Sequence, residues 1–431
     1  MKQEFISKQF CIVVLWVGLI FPGYASEAVA VSSDVRTNEV TLEAAIRLAM
    51  ASSPQLQVAN GRVSAAGGRA YQSKHWSNPE LTLSAEDWPT GGGGFSESKR
   101  LIGVAQSFPF PGKKRLDKEI GMTGVRVSEA ELSLSRIELE HDIKSAFYQV
   151  LAARQLLSVQ EELVRVSESL AESAQKRVGA GEATEQELLR AEIPLEQAKT
   201  DLSSMQRECA GTKQVLFSLM GRPDLIDSPI AGALAENANT NLLSQASSQW
   251  LPSHPGMVAA TRNRERAEME LRRARLEAYP DVRAGLAGGE ASGRDGDSIV
   301  QVSLSLPLPI IDRSRGRKQE ALANVAIAEA DRRGVEFRLL REWESARERL
   351  RRSNEQVMNY RERILPKANE ALRLVRKGFD EGKFGFIDVL DTQRTASEVR
   401  LEYQRKLLDL NMAQADLESF VMVNSSSLIP H

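Results

Sequence analysis

Aromatic side chains make up only 6% of this 431-residue chain, whereas charged residues make up 26%. A thick globular core needs large buried rings. Long runs of Ala, Leu, Glu, Arg and Gln point instead to long helices with narrow apolar seams. Cysteine is nearly absent: Cys11 lies in an N-terminal apolar run and Cys209 stands alone in the rest of the chain, so no internal disulfide framework is available. The four histidines, His75, His141, His254 and His431, show no metal-ligand spacing. Neither a phosphate loop, a nucleophile elbow nor a paired-acid motif is present, so no catalytic residue, metal site or cofactor is assigned and an enzyme is a poor reading. A formal charge of −2, with bases interleaved among acids along helices, leaves no electrostatic footprint for nucleic acid. Beyond the N-terminus no apolar run reaches the roughly 18 residues a spanning helix needs, so any insertion into a bilayer would be through strands.

What is present begins with an export signal. Lys2 and Lys8 precede the apolar run Phe10 to Phe21, which is too short to span a bilayer, and small residues follow. Residues 1–25 are read as this signal. A long internal repeat organises the rest: Pro54 and Pro255, Pro79 and Pro280, and Gly181 and Gly382 all keep one offset of 201 positions. The first unit is placed at 26–220 and the second at 254–421, with an irregular linker or equatorial region at 221–253 and a tail at 422–431.

Each unit reads in the same order. Thr41 is a candidate N-cap for a first helix, TLEAAIRLAM, and Pro54 opens a second that runs to about Trp76. Alternation then replaces the helical period. Leu81, Leu83 and Ala85, then Ile102, Val104 and Phe108, mark a hairpin over about 80–108, with the Gly91 to Gly94 loop between its strands. The second hairpin, about 281–306, has Val300, Val302, Leu304 and Leu306 on one face and Ile299, Gln301, Ser303 and Ser305 on the other. Strands of about 9 residues match a tilted bilayer crossing. A half-buried soluble strand carries the same pattern, so one strand alone decides nothing. Helical hairpins follow over about 113–220 and 314–421, the first opening with a rod of nearly 65 residues, or roughly 95 Å. Pro194 should kink the first returning helix and Pro366 should bend the second rod.

Four strands cannot close a barrel, because about eight is the minimum and an open edge in lipid is prohibitively costly. The chain must therefore oligomerise: two copies would supply about eight strands and three about twelve, the larger number leaving room for a wet lumen. Alanines at 321, 323, 326, 328 and 330 would let the rods approach closely. A soluble coiled-coil rod, an exported scaffold or adaptor, needs no membrane but leaves the strand length and the export signal unexplained.

With these parts in place the mature chain resembles the outer-membrane efflux family of TolC-like channels. The resemblance rests on FIDVLDT at Phe386 to Thr392, on TLEAAIRLAM and on QSFPFPGKK after the first hairpin. It implies an α+β membrane protein: a homotrimer with a transmembrane β-barrel of four strands per protomer, continued by a long periplasmic α-helical barrel. It also implies an outer membrane location in a Gram-negative bacterium, contact with outer-membrane lipid, and docking to a periplasmic adaptor (membrane fusion) protein and an inner-membrane RND-type pump. The PFPGKK segment is similar to heavy-metal cation exporters, with multidrug and type I secretion channels as the alternative. The family's acidic periplasmic gate maps onto Asp388 and Asp391, with Glu187 as the repeat counterpart of Asp388. From spacing alone, first-turn acids that complement a helix dipole are the better explanation of these residues, and it is the resemblance that favours the gate. Where relatives carry a Tyr and an Arg lock, this chain has Phe379 and Phe384, which implies an apolar constriction. The turns Gly181, Glu182, Thr184 and Gly382, Lys383, Gly385 resemble the tips that meet the adaptor.

Overall fold

The computed structural model describes residues 39–87, 98–290 and 297–421. The export signal, the Gly91 to Gly94 loop, most of the second hairpin loop and the 422–431 tail lie outside the described residues. In chain order the elements are α1 (Leu42–Ser52), α2 (Pro54–Lys74), β1 (Glu80–Glu86), β2 (Lys99–Phe108), α3 (Lys113–Gly179), α4 (Glu185–Leu219), the short α5 (Thr240–Leu243) and α6 (Ser247–Trp250), α7 (Pro255–Leu276), β3 (Val282–Glu290), β4 (Ser298–Ser305), α8 (Arg315–Asn359), a π-turn (Tyr360–Ile364), α9 (Leu365–Asp380) and α10 (Phe386–Val421).

Prolines set most of the boundaries. Pro54 and Pro255 occupy first-turn positions of α2 and α7, where the missing N–H costs nothing. Thr41 caps α1, its Oγ1 accepting from the Ala44 N–H at 3.3 Å. Two prolines lie within or beside long helices instead of at a chain break. α4 continues through Pro194 as one helix, held against α3 by the buried Ala191 and Ala198 and by the Gln160 side chain, which donates to the Ala198 carbonyl at 3.0 Å. Pro366 acts one turn earlier than its own position. It lacks an N–H and its ring crowds the preceding turn, and the helix widens there into the π-turn Tyr360–Ile364.

The helices pack as a layer in which short ones stack end to end beside long ones. Along α3, α2 covers the N-terminal part and α4 the C-terminal part. Their ends meet at the α1–α2 corner, where the hydroxyl of Ser52, the last residue of α1, donates to the Met220 carbonyl at 2.6 Å and Pro54 lies beside Gly221. Between α3 and α8, α7 and α10 do the same. α7 is tied to α3 by Arg273 and Asp117 (2.7 Å) and to α8 by Arg264 and Glu329 (2.9 Å). α10 is tied to α3 by Lys144 and Glu418 (2.9 Å) and to α8 by Arg349 and Asp416 (2.9 Å). Of the alanine seam on α8 Ala321 is buried and Ala328 half-buried, while Ala323, Ala326 and Ala330 are exposed.

The main core lies at these junctions, a belt across the middle of the helices. Trp250, Trp343, Phe147, Phe217, Leu350 and Leu410 are fully buried in it, and truncating rings of this kind costs about 3–5 kcal/mol. Residues 221–253 look polar and irregular, yet they belong to this core. Ile230, Leu234, Leu242 and Trp250 are buried, Val40 bridges to Ile230, and Asn411 and Asn354 accept from the Ala235 and Ala238 N–H groups at 3.0 and 3.1 Å.

His254 closes the belt at the start of α7. Its Nδ1 accepts from the Gly256 N–H at 3.2 Å, and its ring lies beside Trp250 and Phe420. Burial pushes its pKa down to about 4. The unfolded chain protonates this imidazole below about pH 6.5 while the fold keeps it neutral, so stability falls as pH drops from there to about 4, by on the order of 3 kcal/mol. His254→Asn retains a capping oxygen and should remove this acid limb from the melting temperature plotted against pH. An unchanged limb would assign it elsewhere.

Candidate functional site

The first candidate is the pair of helix–turn–helix tips. α3 ends in a Schellman turn: Gly181 has φ +76°, its N–H donates to the Val178 carbonyl (3.0 Å), and the Glu182 N–H donates to the Arg177 carbonyl (2.8 Å). α9 ends the same way. Gly382 has φ +73°, and the Gly382 and Lys383 N–H groups donate to the Phe379 (2.9 Å) and Gly378 (2.7 Å) carbonyls. Only glycine takes this left-handed backbone without strain.

The next helix starts differ by one complementary exchange. In the first turn Thr184 is the N-cap, its Oγ1 accepting from the Glu187 N–H at 3.4 Å. In the second, Gly385 has no side chain, and Asp388 reaches back with Oδ2 to accept the Gly385 N–H at 2.9 Å. Each turn thus uses one half of a capping box. Asp388 and Asp391 are both exposed, but only Asp388 is engaged in this way. Asp391 has no side-chain hydrogen bond among the described residues.

The two turns lie at the same end of the helices. Ala171 and Ala174 of α3, Ala191 of α4 and Phe386 of α10 form one small buried cluster, with Phe379, Leu188 and Leu390 against it. Phe379 is therefore a packing residue, 6.1 Å from the Phe386 ring. Phe384 is 46% exposed and lies over Gly378, where any Cβ would overlap its ring. Arg177 joins the two turns: it stands 5.9 Å from the Phe379 centroid and 3.9 Å from the Glu187 carboxylate. No motif or periodicity in the sequence singled it out. Glu182 and Lys383 are exposed at the tips, Lys383 pairing with Glu381 at 2.6 Å.

The second candidate is the sheet. Its strands run in the order β1-β2-β3-β4, antiparallel throughout, and the register sets the alternating residues into rows. Leu83, Ile102, Gly288 and Val300 form one row, and Leu81, Val104, Leu286 and Val302 the next. Across these rows and Leu304 the large side chains are 52–79% exposed, so the middle of one face is apolar and uncovered, with Arg100 and Gln106 of β2 on either side of it. The opposite face is mostly small and polar, carrying Thr82, Ser84, Gly103, Ala105, Gln301 and Ser303, with Leu101 and Ile299 as its large apolar residues. On β2 the first face runs Arg100, Ile102, Val104, Gln106, Phe108, about 25 Å at the usual strand rise, with the apolar rows at its middle. Polar and aromatic side chains close its two rims. Arg100 pairs with Glu290 at the hairpin-loop end, while Trp76 against Phe108 (5.5 Å) and Phe110 against Tyr279 (4.6 Å) stand at the helical end. Among the described residues no helix is long and apolar enough to cross a membrane, and no group of three or more His, Cys, Asp or Glu could hold a metal ion.

Comparison with known proteins agrees with this architecture. The cobalt-zinc-cadmium resistance protein CzcC of Cupriavidus metallidurans is 26% identical over 374 residues, covering 84% of this chain and 85% of that protein. The nickel-cobalt-cadmium resistance protein NccC of Alcaligenes xylosoxydans xylosoxydans is 27% identical over 301 residues, 66% of this chain and 63% of that protein. The outer membrane protein VceC of Vibrio cholerae shares the fold, with a TM-score of 0.72 at 20% identity over 88% of this chain and 95% of that one. The family model described as outer membrane efflux protein matches residues 45–222 and again 246–421, and the chain belongs to that family.

Proposed function

We propose that the protein is the outer-membrane conduit of a tripartite exporter, and that its cargo is heavy-metal cations. The observation that carries this reading is the pair of apolar rows running across four strands whose outer two, β1 and β4, each lack a second neighbour among the described residues. Such a sheet is stable in lipid only if copies join edge to edge into a closed barrel. Three copies give twelve strands, with the small and polar face lining a water-filled lumen and the helices continuing it as a tube into the periplasm. The constant offset of 201 positions supports a tandem duplication. The metal resistance named for CzcC and NccC supports the cargo. Selection of cargo and the driving energy then belong to the inner-membrane pump, and the exposed turns around Gly181, Glu182, Thr184, Gly382, Lys383 and Gly385 meet the periplasmic adaptor.

In this reading symmetry brings three copies of Asp388 and Asp391 toward one axis, a ring that attracts cations and obstructs the mouth. Glu187 is held beside Arg177 and contributes less charge to that ring. Phe384, exposed at the tip, supplies the apolar part of the constriction.

Single-channel recording in planar bilayers tests the assignment. Asp388→Asn keeps an oxygen for the Gly385 N–H, so it removes charge without removing the cap. Asp388→Asn with Asp391→Asn should raise conductance and weaken one-sided block by divalent cations, with most of the change already present in Asp391→Asn. Unchanged block in the double variant would remove both acids from the gate. A protein that folds in buffer without detergent and never inserts would remove the barrel.

A further inference from the structure

The helical rim of the sheet carries a concentration of positive charge that the fold itself does not use. All four strands join helices at this rim, through the segments 68–79, 109–119, 270–281 and 306–321. Together these hold thirteen Lys or Arg and seven Asp or Glu, in a chain whose acids outnumber its bases overall. Several acids are consumed locally: Asp281 by Lys113, Asp117 and Glu277 by Arg273, and Glu119 by Arg115. Lys74, Lys118, Arg272, Arg275, Arg313 and Arg315 remain exposed, with no ion-pair partner among the described residues.

Helix stabilisation accounts for only part of this. Lys74 and Arg275 stand in the last turns of α2 and α7, where cations complement the helix dipole. α3 and α8 are the reverse case. They open on Lys113, Lys114 and Arg115 and on Arg315, Arg317 and Lys318, with no acid in either first turn, so their cations stand where the dipole repels them. Apolar and aromatic groups border the charge. Trp76 and Tyr279 are half exposed, and Ile310 and Ile311, just before Arg313, are 72% and 100% exposed. An apolar edge with aromatic rings and then cations is the profile of a surface that meets acyl chains, interface and headgroups in turn.

We propose that this rim is a collar that binds the phosphate-bearing headgroups of anionic phospholipids in the leaflet on the helical side of the barrel. The collar rests on the membrane-spanning reading above and adds a lipid preference to it. Anionic headgroups offset the repulsion among the clustered cations, so the assembled protein is more stable in anionic than in zwitterionic lipid, and less so at high salt.

The test uses the full-length, detergent-extracted protein in mixed micelles containing phosphatidylglycerol or phosphatidylcholine. Phosphatidylglycerol should raise the melting temperature by at least about twice as much as phosphatidylcholine, and the excess should vanish near 0.5 M salt. The combined variant Lys118→Gln, Arg275→Gln, Arg313→Gln and Arg315→Gln should lose most of that excess. A control neutralising Arg190, Arg207, Arg352 and Lys367, farther along the helices, should keep it. Equal effects of the two lipids, a full excess in the collar variant, or the same gain from inorganic phosphate alone would each overturn the proposal. Bilayer conductance of the same samples separates the two readings. A collar-dependent lipid effect without any channel would sink the conduit and keep the collar, whereas channels without lipid preference would do the opposite.

Discussion

Val302→Arg is expected to prevent stable insertion, while Gln301→Arg, one residue earlier on the same strand, is tolerated. Val302 is 79% exposed in the centre of the apolar face, paired with Leu286, and Gln301 faces the other way beside Ala287. An arginine at mid-bilayer on the lipid face costs about 2–4 kcal/mol. A three-fold assembly incurs that cost in every copy, enough to abolish a marginally stable complex. On the lumen face the same charge remains in water. The readout is the fraction of protein recovered in the outer membrane as a detergent-extractable oligomer. Equal recovery of the two variants would mean that the apolar face does not meet lipid, and would leave a soluble assembly as the better account.

A second large effect is expected at the joint between sheet and helices. The Lys113 ammonium is nearly fully buried, and Asp281 answers it at 2.8 Å with the same oxygen that accepts the Phe110 N–H. Burial opposes the charge of Asp281, but the Lys113 hydrogen bond, the Phe110 N–H and nearby Arg273 outweigh it and hold the carboxyl below the ordinary value. Asp281→Ala strands a buried cation and should cost about 3 kcal/mol. Adding Lys113→Met should recover most of the loss, because the desolvation cost disappears with the charge. A neutral Asp281→Ala, or a double variant no better than the single, would show that the pair is solvated after all. The pH signature is also distinct. This stabilisation is complete above the unfolded carboxyl pKa of about 3.9 and fades as pH falls through the lower folded value, below the range in which His254 acts.

The sequence revealed the elements whose physics is local. Alternation at Leu81, Leu83, Ile102, Val104 and Val300 to Leu304 marked the strands, prolines marked helix starts, and the turn glycines marked both tips. What it concealed depends on packing between distant segments. The pairing of β2 with β3 joins residues nearly two hundred positions apart, and nothing near Val104 announces Leu286 as its neighbour. Polar composition hid the burial of Ile230, Leu234, Leu242 and Trp250, because four apolar side chains are enough to seat a segment on an existing core. At the tip, spacing put Asp388 and Asp391 on one face but could not distinguish their hydrogen bonding, and Arg177 carried no signal at all.

Stacking the short helices end to end has a mechanical consequence. At the belt, α4 passes its load to α2, and α10 to α7, through side-chain contacts and a few hydrogen bonds, so these columns can slip or swivel where a continuous backbone could not. Among the described residues only α3 and α8 cross the belt as unbroken chain, and they are unequal springs. α3 keeps one pitch for 67 residues, whereas the helix begun by α8 changes pitch at Tyr360–Ile364 before reaching the tip. A twist applied at the two turns would therefore be carried stiffly by the first and absorbed by the second, and the α9–α10 turn is the one that would yield.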